Sequence, residues 1–260
     1  MKNFIKKRKL NIICSVSAVL VMLAVWIIAY FAVKNDYLIP SFTDTLKSFK
    51  NLFADGEFWL SFFNTFGRTL LAFVFSFLLA ALLAVPSVLS KTFFAFIKPV
   101  AAFLRTLPTL AVVLIFLMWT NPVIAPVAVT VLILFPMIYA QITAAAEGVD
   151  EGLLEMARVY GLRKRERLFK IYLPLVSPNI LAQTGANLSL GLKIMISSEV
   201  LANTYNSLGG LMQTAKLYAE MPRLAALTLV AVFIGLIIDV AMSQFERINY
   251  KWSIKEGARD

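Results

Sequence analysis

Long apolar segments alternate with shorter polar segments along this chain of 260 residues, and the apolar segments predict its architecture. A helix needs about 20 mostly apolar residues to cross the roughly 30 Å of hydrocarbon in a bilayer. Six segments of this kind occur, at residues 10–33, 65–89, 100–119, 124–146, 174–198 and 224–245. We therefore predict an all-α integral membrane protein with six transmembrane helices.

The first apolar segment follows a basic tail, because residues 1–9 contain five Lys or Arg side chains and no acidic one. A secretory signal peptide has a similar order, but its apolar region covers only about 7–15 residues and ends at a cleavage site of small residues. The segment 10–33 is longer, and no clear cleavage site follows it. It favours a first transmembrane helix whose N-terminus lies in the cytoplasm.

The distribution of basic residues predicts the orientation, because they collect in cytoplasmic loops. With the N-terminus inside, the two tails and the two inner loops hold 18 of the 25 Lys and Arg residues. The predicted organisation is a cytoplasmic tail and first helix at 1–33, an extracytoplasmic segment at 34–64, a transmembrane core at 65–245 and a cytoplasmic tail at 246–260. The large polar loop of the core, at about 147–174, then faces the cytoplasm.

Two segments outside the predicted spans carry local signals. Apolar side chains recur at helical spacing after Ser41, which predicts an amphipathic helix at the outer surface with Ser41 or Thr43 as its N-cap. The segment 199–222 is too polar to span freely and too apolar for a solvated loop. With Gly209 and Gly210 it is either a re-entrant, gate-like segment at the outer face or an ordinary connection.

Composition excludes several functions. The chain is 60% hydrophobic and 15% charged, whereas soluble domains carry roughly 25% charged residues. A net charge of +10 could indicate nucleic acid binding, but basic cytoplasmic loops explain it better, so no nucleic acid partner is expected. One cysteine, Cys14, allows no disulfide framework, and the absence of histidine argues against zinc and histidine-based catalysis.

Motifs for chemistry are also missing from the sequence. It has neither a G-x-x-x-x-G-K-[ST] phosphate loop nor a Ser-x-x-Lys or Gly-x-Ser-x-Gly nucleophile motif. We therefore expect no catalytic residue, no metal site and no cofactor. A protein that moves a solute across the membrane, or that anchors a complex, fits better than an enzyme.

Ionisable residues and prolines within the apolar segments are candidates for a pathway. Buried charges in spans usually face an interior or an aqueous path, and the alternative for those near the outer side is snorkelling to the interface. Prolines either kink a span or break it, and broken helices line pathways in transporters. The candidate pathway or gate residues are Arg68, Arg105, Pro108, Lys193, Glu199, Gly209 and Gly210. Asp239, nearer the inner side, has no readable partner.

The longest polar stretch, 155–174, predicts two short helices. The first would begin near Asp150, with Glu155 in its first turns, and would end at Gly161 as a C′ glycine. The second would cover 162–172, and Pro174 would stop it and open the next span. Its apolar stripe is flanked by basic residues, so the alternative is a loop resting on lipid headgroups.

This stretch resembles the cytoplasmic loop of permease subunits of bacterial ABC importers. In that family the loop reads Glu-Ala-Ala, three residues, Gly, about nine residues, an apolar residue, one further residue and Leu-Pro. The corresponding residues here are Glu155, Met156, Ala157, Gly161, Ile171, Leu173 and Pro174, with Met156 where the family prefers Ala. The match at this length and spacing is specific.

Further matches, over about 38–245, resemble the subgroup of nitrate, sulfonate and taurine importer permeases. They are Leu38-Ile39-Pro40-Ser41, Thr65 with Arg68, Leu104-Arg105-Thr106-Leu107-Pro108, Ala111, Trp119, Glu199 and Leu208-Gly209. The chain departs from the subgroup at Leu114, where the family has a proline, and at Thr120 or Asn121, where it has a glycine. Both departures lie where the third helix would line the path.

The resemblance implies the five-helix core of type I ABC importer permeases plus one N-terminal helix, in the cell membrane of a bacterium. It also implies a coupling helix that inserts into a groove on a separate cytoplasmic ATPase, an extracytoplasmic substrate-binding protein, and a second copy or a close paralogue. The coupling residues carried over are Glu155, Ala157, Gly161, Leu162, Arg163, Phe169, Leu173 and Pro174.

The substrate stays open at this stage. Arg68, Arg105 and Lys193 would suit a sulfonate-, nitrate- or taurine-like anion if they face the path. The same scaffold carries thiamine-precursor pyrimidines and other small organic molecules. A secondary carrier or a membrane scaffold subunit is the alternative of a different class, although secondary carriers usually show internal repeats, which this sequence lacks.

Overall fold

The computed structural model describes residues 2–33, 35 and 38–256, and every regular element among them is helical. The helices are α1 Lys2–Val33, α2 Phe42–Leu52, α3 Gly56–Leu89, α4 Lys91–Thr106, α5 Thr109–Trp119, α6 Ile124–Glu147, α7 Glu151–Val159, α8 Lys164–Arg167, α9 Leu173–Ala202, α10 Leu208–Leu217 and α11 Met221–Glu256. A π-helical turn, Leu168–Tyr172, joins α8 to α9.

The membrane-spanning candidates among the described residues are α3, α6 and the Met221–Phe245 part of α11. The pair formed by α4 and α5 passes the same length and composition test together, but it is bent by 95°. Leu20–Val33 is a shorter apolar part of α1. The all-α class is confirmed, whereas the count of six spans stays a prediction.

The third predicted helix is the clearest correction. One continuous helix over 100–119 is wrong, because α4 begins at Lys91, and the chain breaks at Leu107 and Pro108 before α5. A residue before proline is pushed out of the helical region, and Leu107 is extended, with a ψ of 129°. The broken-helix alternative therefore applies here, with Arg105 in the last turn of α4.

Other helices extend beyond their predicted limits. The second predicted helix starts at Gly56 instead of residue 65, because the Asp55 carboxylate accepts a hydrogen bond from the Glu57 backbone N–H at 2.9 Å and caps it. The amphipathic helix α2 is confirmed, with Ser41 as its N-cap. Its Phe49 packs edge-on against Phe233 of α11, at 6.0 Å between ring centroids.

The centre of the molecule is formed by α3, α6, α9 and α11, which pack on one another. A buried stripe of small residues runs along α3, consisting of Thr65, Thr69, Ala72, Ser76, Ala80, Ala84 and Ser87. Small side chains let helix backbones approach closely, which is the usual basis of helix packing in membranes. The stripe permits close packing of α3 against its neighbours.

Candidate functional site

The first candidate region is the connection between α6 and α9, which contains α7 and α8. The Asp150 carboxylate caps α7 by accepting a hydrogen bond from the Leu153 N–H at 3.0 Å. The helix ends in a Schellman motif, in which the Gly161 N–H donates to Arg158 and the Leu162 N–H donates to Ala157, both at 3.0 Å. Gly161 has a φ of +67°, which glycine adopts without strain. The predicted helix and its C′ glycine are confirmed.

One face of α7 is anchored to the core, and the other is exposed. Leu154 packs against the buried cluster of Ala146, Val149 and Val176, together with Ile171 and Tyr172, and Ala157 is buried. On the opposite face Met156, Val159 and Tyr160 are exposed, Val159 to 86% and Tyr160 to 78%. Glu155 is exposed beside them. This face carries large apolar side chains that are unburied within the described chain.

The second half of the region, α8 and the π-helical turn, is basic and partly exposed. The Glu166 carboxylate accepts a hydrogen bond from the Arg163 N–H at 2.8 Å and so caps α8. Phe169 is exposed under the guanidinium of Arg165, whereas Leu162 and Tyr172 are partly buried, so the three do not form one uniform stripe. Leu173 is also exposed.

Pro174 does not stop the second short helix as predicted. The chain passes from α8 through the π-helical turn into α9 without a break. Pro174 lies in the first turn of α9, as predicted, directly after the π-helical turn. The helix α8, the π-helical turn and α9 therefore form one continuous helical segment, whereas α7 is separated from it by residues 160–163.

The second candidate region centres on Glu199, near the C-terminal end of α9. Its side chain is fully buried and accepts hydrogen bonds from Thr65 Oγ1 at 2.8 Å, Arg68 Nη1 at 3.1 Å and the Gly209 N–H at 3.3 Å. Thr65 Oγ1 also accepts a hydrogen bond from the Leu208 N–H at 2.9 Å. Snorkelling is therefore the wrong interpretation for Glu199 and Arg68, because they pair with each other inside the protein.

Both predicted glycines are needed for close packing of α10. A Cβ on Gly209 would lie 2.6 Å from the Val200 N atom and would collide with Glu199. A Cβ on Gly210 would collide with the Thr204 carbonyl oxygen. The segment 199–222 thus contains a short, largely buried helix held between α3, α9 and α11.

The third candidate region is a cavity of about 340 Å³ between α4, α6 and α9. Its lining residues are Arg105, Met137, Ala140, Gln141, Ala144, Ala145, Asn179 and Gln183. Gln141 exchanges two hydrogen bonds with the buried Asn187, at 3.0 and 2.7 Å. Sequence reasoning found Arg105 but missed these carboxamides. Their signal was the four-residue spacing of Asn179, Gln183 and Asn187 in an apolar segment.

The remaining predicted positions are exposed, as Arg105 is. Lys193 lies on an exposed face of α9, and Asp239 is exposed on α11. Neither forms an ion pair within the part of the chain that the structure describes. Pro108 lies at the break between α4 and α5. The described residues include no group of three or more His, Cys, Asp or Glu side chains that could hold a metal ion.

Two curated relatives resemble most of this chain. A putative aliphatic sulfonates transport permease protein of Bacillus subtilis is 25% identical over 236 residues, which cover 89% of this chain and 84% of the relative. A protein of the same description from Escherichia coli is 26% identical over 223 residues, which cover 83% of this chain and 82% of the relative.

Solved structures have the same fold. An amino acid ABC transporter aligns with a TM-score of 0.61 at 20% identity, over 70% of this chain and 89% of that chain. The methionine ABC transporter MetNI, in an inward-facing conformation, aligns with a TM-score of 0.63 at 16% identity, over 73% of this chain and 96% of that chain. Residues 76–248, about two thirds of the 260, match one family, and the chain belongs to the binding-protein-dependent transport system inner membrane components, the permeases of ABC importers.

Proposed function

We propose that this importer permease forms half of a pathway for a small organic anion and couples to its ATPase through the exposed face of α7 and α8. The observation that carries the coupling role is the set of large exposed side chains on a rigid frame. Interface hot spots are enriched in Trp, Tyr and Arg side chains that are buried when the partner binds. Tyr160, Val159 and Phe169 supply the anchors, and Arg163 and Arg165 supply the flanking charge.

The membership of the family implies two partners, a cytoplasmic ATPase and an extracytoplasmic substrate-binding protein. We further propose that two copies of this chain pair, with both termini in the cytoplasm and lipid around the outer helices. We propose the same division of the chain as the sequence predicts, into segments at 1–33, 34–64, 65–245 and 246–260. ATP hydrolysis then occurs on the partner, and this chain contributes no catalytic residue.

A gate role follows for the cluster around Glu199. The ion pair and the Thr65 hydroxyl join α3, the end of α9 and the start of α10, so the three move as one unit. On the predicted orientation this unit lies at the outer end of the pathway. Lys193, one to two turns away on the exposed face of α9, would then face the path.

The transported solute is proposed to be a sulfonate-like anion. The two named relatives are described as aliphatic sulfonate permeases, and two candidate pathway residues, Arg105 and Lys193, are basic and form no ion pair among the described residues. The favoured solute class therefore carries one negative charge and a small organic group.

A matched pair of tyrosine variants tests the coupling role. Tyr160→Asp places a charge on the proposed docking face, whereas Tyr218→Asp makes the same change at the C-cap of α10, where the exposure is 76% against 78% at Tyr160. We expect Tyr160→Asp to lower co-purification of the ATPase at least tenfold and Tyr218→Asp to leave it unchanged. Equal co-purification with both variants would refute docking at this face.

A further inference from the structure

We propose that the cavity between α4, α6 and α9 is an oxyanion-binding subsite, with Arg105 as its charged ligand and the carboxamides of Gln141, Asn179 and Gln183 as additional donors. The inference rests on the proposed transport of a small anion and deepens it, because it names the place where the anion is held. The ligand class is a small monoanion that carries several oxygen atoms, such as an alkanesulfonate.

The residues that line the cavity provide hydrogen-bond donors and one positive charge, and no negative charge. The lining contains one guanidinium and three carboxamides, and it contains no carboxylate. Arg105 forms no ion pair with any residue that the structure describes. Arg105 is exposed, so its charge is accessible to a ligand in the cavity. Its planar guanidinium suits two oxygen atoms of one oxyanion at once.

The cavity is open, with Arg105 and Asn179 exposed, and hydrogen bonds orient its carboxamide groups. Asn187, which is 5% exposed, lies behind it and exchanges two hydrogen bonds with Gln141, which fixes the orientation of the Gln141 carboxamide. Each amide nitrogen carries two hydrogen atoms, so Gln141 keeps one donor for a ligand. Similarly, Gln183 donates to Asn179 Oδ1 at 2.8 Å, which leaves the Asn179 NH₂ group available.

The break in the third predicted helix explains how Arg105 reaches this position. Because α4 ends at Thr106 and the chain turns at Leu107 and Pro108, Arg105 lies in the last turn of a short helix and not in the middle of a straight span. The volume of about 340 Å³ lies within the range of roughly 300–1,000 Å³ usual for small-molecule sites.

The other candidate cations are not equivalent to Arg105. Arg68 is neutralised by Glu199, so it adds no net charge to a pathway. Lys193 is ten residues beyond Gln183 on α9, which corresponds to about 15 Å along the helix. The cavity therefore holds a single net positive charge, which matches a monoanion better than a dianion.

The test is a binding measurement on the purified permease–ATPase complex in a phosphate-free maltoside detergent. The probes are ethanesulfonate and ethyl methyl sulfone, a neutral molecule of similar shape, with titration followed by calorimetry. The variants are Arg105→Gln, Arg105→Lys and Gln183→Leu. The matched control is Lys98→Gln, which removes one positive charge one heptad earlier on α4, outside the cavity. ATPase co-purification and basal ATP hydrolysis report folding and assembly.

We expect the complex to bind ethanesulfonate and not the sulfone, and Arg105→Gln to weaken the binding at least tenfold. Arg105→Lys should weaken ethanesulfonate binding less than Arg105→Gln does, and Gln183→Leu should weaken it about threefold. Lys98→Gln should bind ethanesulfonate as tightly as the unaltered protein. If Lys98→Gln and Arg105→Gln weaken ethanesulfonate binding equally, the effect comes from the total charge of α4 and not from a contact in the cavity. That result would overturn the proposed subsite. No binding by the unaltered complex would also overturn it, while intact ATPase co-purification would leave the coupling role standing.

A lipid headgroup phosphate could present the same oxyanion chemistry to Arg105. Repeating the titration with added phosphatidylglycerol separates the two sources. Unchanged ethanesulfonate affinity supports a solute subsite, and competitive displacement by the lipid overturns it.

Discussion

The buried ion pair between Arg68 and Glu199 allows a quantitative prediction, because its two members are buried to different degrees. The Glu199 side chain is fully buried, whereas the Arg68 side chain is 16% exposed. Removing one partner of a buried pair costs about 3–5 kcal/mol, mostly because the other charge stays buried and unpaired. Arg68→Gln leaves the carboxylate with only Thr65 and the Gly209 N–H, so we expect a loss of about 3 kcal/mol.

Removing the acidic member of the pair should cost less stability than removing Arg68. In Glu199→Gln the amide oxygen can still accept from Thr65 and Gly209, and the partly exposed Arg68 can turn its guanidinium towards water. The double variant, Arg68→Gln with Glu199→Gln, leaves no buried charge. We expect it to be more stable than Arg68→Gln alone, since replacing both members of a buried pair is often nearly neutral.

The assay is the apparent melting temperature of the purified permease in detergent, read from the monodisperse fraction after heating. A loss of about 3 kcal/mol corresponds to a fall of about 6–12 °C for a domain of this size. Lys193→Gln is the control, because it removes an exposed cation without an ion pair among the described residues. An Arg68→Gln variant no less stable than Lys193→Gln, or strictly additive effects in the double variant, would refute the reasoning.

Two further predictions concern glycines. Gly209→Ala should abolish solute uptake and lower the melting temperature, because its Cβ would collide with Glu199. The control is Gly67→Ala on α3, where a Cβ meets nothing within 4 Å, and it should keep uptake. Uptake that survives Gly209→Ala would contradict the close packing of α10. Gly161→Val should lower the stability by about 1–2 kcal/mol, because residue 161 has a φ of +67°, and it should reduce ATPase co-purification. The control is Gly148→Ala, which lies outside the left-handed region and should retain co-purification. Unchanged co-purification with Gly161→Val would count against a rigid coupling frame.

Local signals made the start of α2 and both ends of α7 readable from the sequence. Asp150, Ser41 and Gly161 act within four residues of their own positions, so a short stretch contains everything that decides a cap. The family motif added the function of the stretch. The break at Leu107 was also readable as an alternative, because the steric effect of proline on the preceding residue is local.

Contacts between distant residues were not readable. Arg68 and Glu199 are 131 positions apart, and Thr65 and the Leu208 N–H are 143 positions apart. Their pairing depends on how α3, α9 and α10 pack, and the stripe of small residues on α3 only permits that packing. Each charge taken alone was therefore equally consistent with snorkelling, and only the fold distinguishes the two interpretations.

One helix connects the three candidate regions, and this gives the proposed coupling a physical route. The α9 helix continues from the α8 frame, carries Asn179 and Gln183 into the cavity, and ends with Glu199 at the predicted gate. Its 30 residues correspond to about 45 Å along the helix axis. Because its first turn is anchored beside α7 through Val176, Ile171 and Tyr172, a displacement of the docking face moves this end of α9 directly. On the proposed coupling, closure of the ATPases would shift α9 as a rigid element, and Glu199 near its C-terminal end would move with it.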